Sequence, residues 1–181
     1  MVDLKNFQVD ASYRYSVVPK LDDDAFLIVE IPDWSQYSLL QAESNLYFED
    51  GFVGRSILDG SSLQATVEIS MGRDRSIVIK REKNDPFSKK RAIGSNTTES
   101  REYKITVKNN KSQAVTINVE DQIPVSVNSD ITVEALALSE GKLDPQTGKV
   151  IWLVTLQPRA QQDLILQYEV KYPKKEKVIL D

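Results

Sequence analysis

Apolar and polar side chains alternate along several stretches of the chain, and this alternation constrains the fold more than any other feature. Residues 103–108 read Tyr-Lys-Ile-Thr-Val-Lys, and residues 115–120 read Val-Thr-Ile-Asn-Val-Glu. The same period recurs in residues 164–170. A period of two places the apolar side chains of a β-strand on one face. These stretches are therefore predicted to be strands with one buried face.

The second half of the chain is predicted to form a small β-sandwich. Residues 109–112 are rich in turn formers, which predicts a hairpin between the strands on either side of them. A further strand is predicted at residues 131–136, followed by a turn at residues 144–148. Residues 150–156 are apolar on both faces, which is typical of a central strand. Five such strands in one half of the chain are typical of an immunoglobulin-like sandwich.

The first half is also predicted to be rich in strands. Asp50-Gly51 is a two-residue turn of the kind that favours hairpins. No segment keeps a 3.6-residue apolar period for about ten residues, although residues 33–42 are compatible with a short helical turn. Candidate strands lie at residues 13–18, 25–31, 45–49, 52–58, 63–70 and 76–81. The predicted fold class is all-β.

Residues 82–101 separate the two halves and are predicted to be a loop or an interdomain link. They combine Pro86 and Gly94 with serine, threonine and asparagine residues and with few apolar ones. The predicted organisation is two small β-domains in tandem, at residues 1–95 and 96–181, the second an immunoglobulin-like sandwich. A long loop within one domain would have the same composition. If the boundary is real, a fragment of residues 98–181 should fold alone.

Inward positions of the predicted strands supply the core of the second half. These positions are Tyr103, Ile105, Val107, Val115, Ile117, Val119, Trp152, Leu164, Leu166, Tyr168 and Val170. Trp152 is the largest of them, so its removal is expected to cost the most stability.

Some of the residue types on which enzymes most often depend are missing. The chain has no cysteine and no histidine, which excludes a thiol nucleophile, an imidazole base and a standard zinc site. Asp22-Asp23-Asp24 lacks the ligand spacing of a calcium loop, and the glycines lack the spacing of nucleotide loops, so no metal and no cofactor are predicted. The chain is predicted not to be an enzyme. A carboxylate-dependent hydrolase is the least favoured alternative, since two acids suffice for glycoside hydrolysis.

The charge balance argues against nucleic acid as a partner. The chain has 27 acidic and 23 basic residues, a net charge of −4, which disfavours binding to phosphate backbones. A basic cluster at residues 80–91 is predicted to be a solvated strand end rather than an anion site, because no aromatic platform accompanies it. No membrane span is predicted, because the most apolar stretch, residues 150–156, is too short. Residues 1–6 contain no apolar run, so no signal peptide is predicted there.

Aromatic residues are concentrated between residues 34 and 52. The candidate binding residues are Trp34, Tyr37, Tyr47 and Phe48, with Phe52 close behind them. Aromatic side chains can stack on sugars or grip a peptide. Because Tyr47 and Phe48 are adjacent in a predicted strand, they point to opposite faces, and one of them is exposed unless both faces are covered. Core packing is the competing explanation for most of this group.

Several segments together resemble the C-terminal domain of unknown function of bacterial mucoidy-inhibitor-like proteins. The segments that carry the resemblance are residues 25–27, Trp34, residues 39–40, 45–48, 51–56, 71–74, 78–83, 103–110 and 120–126, Gly148, Trp152 and residues 168–173. The resemblance covers nearly the whole chain in consistent order. It implies an all-β C-terminal region of a longer protein, in which other domains precede this part, and it favours a periplasmic or cell-envelope location.

The first functional hypothesis is a non-catalytic interaction or structural module of a cell-envelope-associated bacterial protein. Its partner would be another protein or a polysaccharide. The alternative is a carbohydrate-binding module that uses the aromatic stretch at residues 34–52.

Overall fold

The computed structural model describes residues 6, 8–37, 41–48, 50–58 and 66–180, without the side chain of Ile93. Within these residues the protein is almost entirely β-structured, which confirms the predicted fold class. A turn of 3₁₀ helix, Trp34–Tyr37, lies where a helical turn is predicted. The strands are β1 (Ser12–Val18), β2 (Asp22–Pro32), β3 (Ala42–Phe48), β4 (Gly51–Leu58), β5 (Thr66–Lys83), β6 (Lys90–Ile93), β7 (Asn96–Asn109), β8 (Val115–Gln122), β9 (Thr132–Ala137), β10 (Lys142–Leu143), β11 (Lys149–Leu156) and β12 (Gln161–Pro173).

Most of the strands belong to one hydrogen-bonded sheet. Its order is β10-β11-β8-β1-β2-β5-β7-β12-β9, with β6 paired to β7 beside this path. β3 and β4 form a separate two-stranded sheet. The long β7–β12 ladder is antiparallel and runs from the pair Gln161–Lys108 to the pair Pro173–Asn96. This strand order is compatible with the predicted sandwich.

The predicted hairpin between residues 103–108 and 115–120 is wrong. β7 pairs with β5 and β12, whereas β8 pairs with β11 and β1. The turn formers at residues 109–112 instead make a corner that is anchored by the fully buried Asn109. Its Nδ2 donates to the carbonyl oxygens of Gln113, at 2.8 Å, and of Leu156 and Gln157, at 3.3 and 3.2 Å. These bonds attach the corner to the end of β11 and direct the chain away from β7.

The chain divides into two compact units that differ from the predicted domains. Unit 1 consists of Met1–Tyr15 and Phe26–Asp74, and unit 2 consists of Ser16–Ala25 and Arg75–Asp181. The predicted link at residues 82–101 is β-structured over most of its length, because it contains the end of β5, all of β6 and the start of β7. Its polar composition reflects strands with one solvated face. Three strands, β1, β2 and β5, contribute residues to both units.

The core of unit 1 is small. Val29, Ile31, Trp34 and Ile69 are buried together, and partly buried side chains pack around them. Among these partly buried residues are Leu46 of β3 and Leu58 of β4. The two-stranded sheet is therefore held to unit 1 by one of its faces.

The core of unit 2 confirms the predicted inward positions. All eleven predicted core residues, from Tyr103 to Val170, are buried. β11 differs from its predicted role as a central strand, because the side chain of Leu153 is 72% exposed. The opposite face of β11, with Val150, Trp152, Val154 and Leu156, is buried, so the two apolar faces of this strand differ in how far they are covered.

Replacing Trp152 by alanine should lower the free energy of unfolding by about 3–5 kcal/mol, because the indole is 3% exposed and its Nε1 donates to the carbonyl of Leu138. The matched control is Leu153→Ala on the same strand, which should change stability by less than about 0.5 kcal/mol. Urea unfolding followed by circular dichroism measures both. Equal effects of the two replacements would contradict the assignment of the buried face.

A fragment of residues 98–181 should not fold alone, contrary to the expectation from composition. It lacks the part of β5 that pairs with β7 from Ile77–Asn109 to Lys83–Tyr103. It also lacks Arg81, whose Nε lies 2.7 Å from the buried carboxylate of Asp121. An exposed strand edge and an unpaired buried charge both oppose folding. An amide proton spectrum should be collapsed, or the product insoluble, whereas the whole chain should give dispersed peaks; a dispersed fragment spectrum would restore the predicted boundary.

Candidate binding surface

The antiparallel pair β3–β4, here called the ribbon, carries the exposed aromatic residues of unit 1. The ribbon strands pair from Ala42–Leu58 to Phe48–Gly51, with an irregularity between Leu46 and Tyr47. The predicted turn at Asp50-Gly51 is corrected in one respect, because Gly51 already pairs with Phe48 in the ribbon. Asp50 takes a positive φ of 64°, which aspartate tolerates.

One face of the ribbon is open to solvent. The exposed ribbon face consists of Glu43, Asn45, Tyr47, Phe52, Arg55 and Ile57. Tyr47 and Phe52 are directly opposite each other and are 63% and 57% exposed. Their ring centroids are 5.5 Å apart, with an interplanar angle of 65°. Ile57 is 67% exposed at the far end of the same face.

The other predicted site residues do not join this face. Trp34 is buried in the core of unit 1, and Tyr37 is partly buried against the same core. Their rings are 6.1 Å apart at the centroids, which is an aromatic core contact. Phe48 is half-buried on the face opposite to Tyr47. Of the four candidate residues, Tyr47 alone lies on the exposed ribbon face, and its neighbour there is Phe52.

The arrangement of the two rings decides which ligands the exposed ribbon face can accept. A tilted pair forms a ridge with an edge and a face, and it does not present one flat platform to a sugar ring. The guanidinium of Arg55 lies 3.5 Å from the carboxylate of Glu43, so the charges on this face are balanced. Within the described residues neither ribbon strand pairs with a third strand. The ribbon therefore offers an apolar ridge together with backbone groups at its edges.

The basic cluster at residues 80–91 is largely ion-paired. Lys80 pairs with Glu82 at 2.8 Å, and Lys83 lies 3.8 Å from Asp85. Arg81 pairs with Asp121, and its guanidinium stacks 3.6 Å from the ring centroid of Tyr103. These partners neutralise much of the local positive charge, and Arg81 is largely buried rather than solvated.

A buried ionic cluster on β7 is the second unusual feature. The carboxylate of Glu99 is buried and accepts hydrogen bonds from Lys90 and Arg101, both at 2.6 Å, and from the hydroxyl of Tyr172. Arg101 also donates from Nη1 to the carbonyl of Ser100, and its buried Nε has no partner among the described residues. These bonds join β6, β7 and β12 at one end of the core of unit 2.

The ionisation of Glu99 follows from these contacts. Burial by itself would raise the pKa of the carboxyl group, because it disfavours the charged form. The hydrogen bonds from Lys90, Tyr172 and Arg101 outweigh burial and hold the pKa of Glu99 below its ordinary value of 4.5. The carboxylate is therefore ionised at neutral pH, and it acts as a structural anchor for the cations around it.

Two features are absent from the described part of the chain. No group of three or more acidic side chains there could hold a metal ion. In the same residues, no helix has the length and apolar character needed to cross a membrane.

Sequence reasoning missed the Glu99 cluster, although a signal was present. Counting back by twos from Tyr103 places Arg101, Glu99 and Thr97 on the inner face of β7. Charged residues in inward register indicate a buried ionic cluster. Ile57 was missed for another reason: its outward orientation depends on which ribbon face packs on unit 1.

Comparisons with known proteins place the chain among domains without an assigned activity. A family model described as "Domain of unknown function (DUF4139)" matches residues 5–174. The chain is also similar to Protein F37C4.5 of Caenorhabditis elegans, with 23% identity over 193 residues. The match covers 98% of this chain and 34% of the relative, so the chain spans about a third of that protein's length. The resemblance to a domain of unknown function is confirmed, while the likeness to mucoidy inhibitors stays a prediction.

Replacing Glu99 by glutamine should lower stability by about 3–5 kcal/mol at pH 7, because it leaves Arg101 without its counter-charge. Since the folded pKa lies below 4.5, the stabilisation from Glu99 is present above the unfolded pKa and is lost as the pH falls through the folded value. The difference between the parent chain and the variant should therefore shrink below pH 4.5.

The matched control is Glu176→Gln, which changes an exposed carboxylate and should alter stability by less than about 0.5 kcal/mol. Thermal unfolding between pH 3 and pH 8 measures both variants. A difference between the parent chain and the Glu99 variant that stays constant over this range would contradict the assigned ionisation.

Proposed function

The chain belongs to the family of domains of unknown function designated DUF4139, and on this premise we propose that it is a non-catalytic interaction module whose binding surface is the exposed ribbon face. The observation that carries the proposal is the pair Tyr47 and Phe52, two large aromatic side chains that meet in solvent. Single exposed apolar residues are common, but a cluster of them marks an interaction site more often. Aromatic residues are also enriched at the centres of protein interfaces.

The partner that this face favours is a protein. Ile57 extends the apolar surface with an aliphatic side chain that offers nothing to sugar hydroxyl groups. The tilted rings of Tyr47 and Phe52 suit the irregular surface of a protein better than the flat face of a pyranose. A polysaccharide remains the alternative partner, since Asn45 and Arg55 supply hydrogen-bond donors beside the rings.

The non-catalytic part of the proposal is supported by the state of the buried acids. The carboxylate of Glu99 is engaged by two cations and a phenol, and that of Asp121 is engaged by Arg81. Glu102 accepts a hydrogen bond from the side-chain amide of Asn84 at 2.5 Å. A general acid or base must reach a substrate proton, and these three groups already serve the fold.

The cellular setting is proposed from the resemblance alone. The similarity to mucoidy-inhibitor-like proteins supports a place in a bacterial cell envelope, as part of a longer protein with other domains. Fractionation of cells that express the parent protein checks this directly, because recovery only from the cytoplasm would contradict it.

The double variant Tyr47→Ala/Phe52→Ala should weaken binding to the natural partner at least tenfold, because truncation of a central aromatic pair commonly costs about 2 kcal/mol or more. Its melting temperature should stay close to that of the parent chain, since both side chains are more than half exposed. The partner is to be captured by a photo-reactive residue placed at position 47 in cells that natively express the protein, and its affinity is then measured by calorimetry.

The matched control is Tyr13→Ala, which removes a tyrosine of unit 1 that is 58% exposed and lies outside the ribbon. The control should bind as the parent chain does. Unchanged affinity in the double variant would show that the ribbon is not the binding surface. Saturable binding on a glycan array that the double variant loses would favour the polysaccharide alternative.

A further inference from the structure

Unit 2 contains a cleft of about 240 Å³, lined mainly by apolar side chains, that no predicted site includes. It lies between the segment that follows β8 and the strands β9 and β10. Its apolar lining includes Ile123, Val125, Ile131, Val133, Ala135 and Leu143. Drug-sized ligands usually occupy about 300–1,000 Å³. The cleft therefore suits a few aliphatic side chains better than a compact small molecule.

Gly148, which lines the cleft, lies against the backbone of Ile123. Gly148 has a positive φ of 71°, and a β-carbon there would lie 2.2 Å from the carbonyl oxygen of Ile123. Ile123 also contacts Gly148 through its backbone amide, which donates a hydrogen bond to the carbonyl oxygen of Gly148 at 2.9 Å. The side chain of Asp144 caps the adjoining turn by accepting from the Gln146 amide and the Thr147 hydroxyl. A preformed site loses little conformational entropy on binding.

The cleft is bordered by unpaired strand edges. β9 and β10 are the two terminal strands of the sheet, and within the described residues each pairs on one side only. Val125 also lines the cleft, and its backbone groups make no backbone hydrogen bond within the described part of the chain. The side chain of Val125 is half exposed at the rim. An extended peptide can pair with such an edge and place every second side chain in the cleft.

The exposed charges of the segments that border the cleft are mainly acidic. Between residues 122 and 148 the chain has four carboxylates, Asp130, Glu134, Glu140 and Asp144, and one cation, Lys142. All five side chains are exposed. Opposite charges on a partner would speed its association and fix its register, whereas an acidic partner would be repelled.

From the free edge, the apolar cleft and the acidic rim together, we propose that unit 2 binds an extended peptide with small aliphatic residues at alternate positions and with lysine or arginine between them. The peptide adds as a strand to β9 and inserts its aliphatic side chains between Val133, Ala135 and Val125. Its basic side chains face Asp130 and Glu134. This site is separate from the ribbon, and its test does not depend on the proposed function of the ribbon.

The test uses the whole chain and the labelled peptide Lys-Val-Thr-Val-Lys-Val-Thr-Lys as probe, with fluorescence anisotropy as the readout. The probe should bind saturably and at least tenfold more tightly than a peptide with glutamate in place of each lysine. Its affinity should fall when the salt concentration rises from about 50 to 300 mM, because exposed charges are screened. Backbone N-methylation of its valines should weaken binding at least tenfold, since strand addition uses backbone amides.

Two variants with matched controls locate the site. Val125→Asp should weaken binding at least tenfold, whereas Leu153→Asp on exposed β11 should not. The double variant Asp130→Lys/Glu134→Lys should also weaken binding of the lysine peptide at least tenfold, whereas the control Glu176→Lys should leave the affinity unchanged. On binding, the amides of β9 should exchange more slowly with deuterated water. Failure of the lysine peptide to bind saturably, equal binding of the glutamate peptide, indifference to Val125→Asp, or unchanged exchange in β9 would each overturn the proposal.

Discussion

The β7–β12 ladder is the contact on which most of unit 2 depends. It pairs the two long strands over their whole common length, from Gln161–Lys108 to Pro173–Asn96. On its inner face, alternate residues of both strands are buried, among them Ile105, Val107, Leu164 and Leu166. β5 and β6 pair with the other edge of β7, at different stretches of it. The core, the ionic cluster and the corner at Asn109 are all built on this one strand.

The inner face of β7 changes character along its length. From Tyr103 to Val107 it is apolar and contributes to the core by hydrophobic burial. At Glu99 and Arg101 the inner face is ionic, and there the contacts between strands are charged hydrogen bonds instead of apolar packing. Removing one charged partner of such a cluster lowers the stability of the fold, because the remaining charge stays buried without a counter-charge. This polar end joins β6 and β12 to β7 with a directional contact that an apolar side chain would not provide.

The two proposed binding surfaces use different physical means. The ribbon in unit 1 presents the side chains of Tyr47, Phe52 and Ile57, so its affinity would depend on aromatic and aliphatic burial. The cleft in unit 2 presents the backbone edge of β9 beside a small apolar volume, so its affinity would depend on strand addition. Both surfaces are proposed to bind other polypeptides, by these two different means.

Local patterns in the sequence determined the strands and the buried faces. The period of two predicted ten of the eleven core residues named for the second half, all but Trp152, because alternation specifies which side chains share a face whatever the strand pairs with. Partner choice between strands was decided by the tertiary structure. The hairpin after residue 108 was wrong because turn formers also suit a corner, and the bonds from Asn109 to Leu156 and Gln157 join residues far apart in sequence. The polar composition of residues 82–101 likewise did not distinguish strands with one solvated face from an interdomain link, and β6 and the start of β7 lie there.

For the candidate binding residues, too, the sequence determined one part and the tertiary structure the other. The sequence by itself determined that Tyr47 and Phe48 face opposite sides of one strand. Tertiary structure alone decided that Tyr47 is exposed with Phe52 and that Trp34 lies in a core. Exposure depends on what covers a face, and that cover comes from residues distant along the chain. The residue pattern therefore determined the faces of the strands, and long-range packing decided which of those faces remain open to a partner.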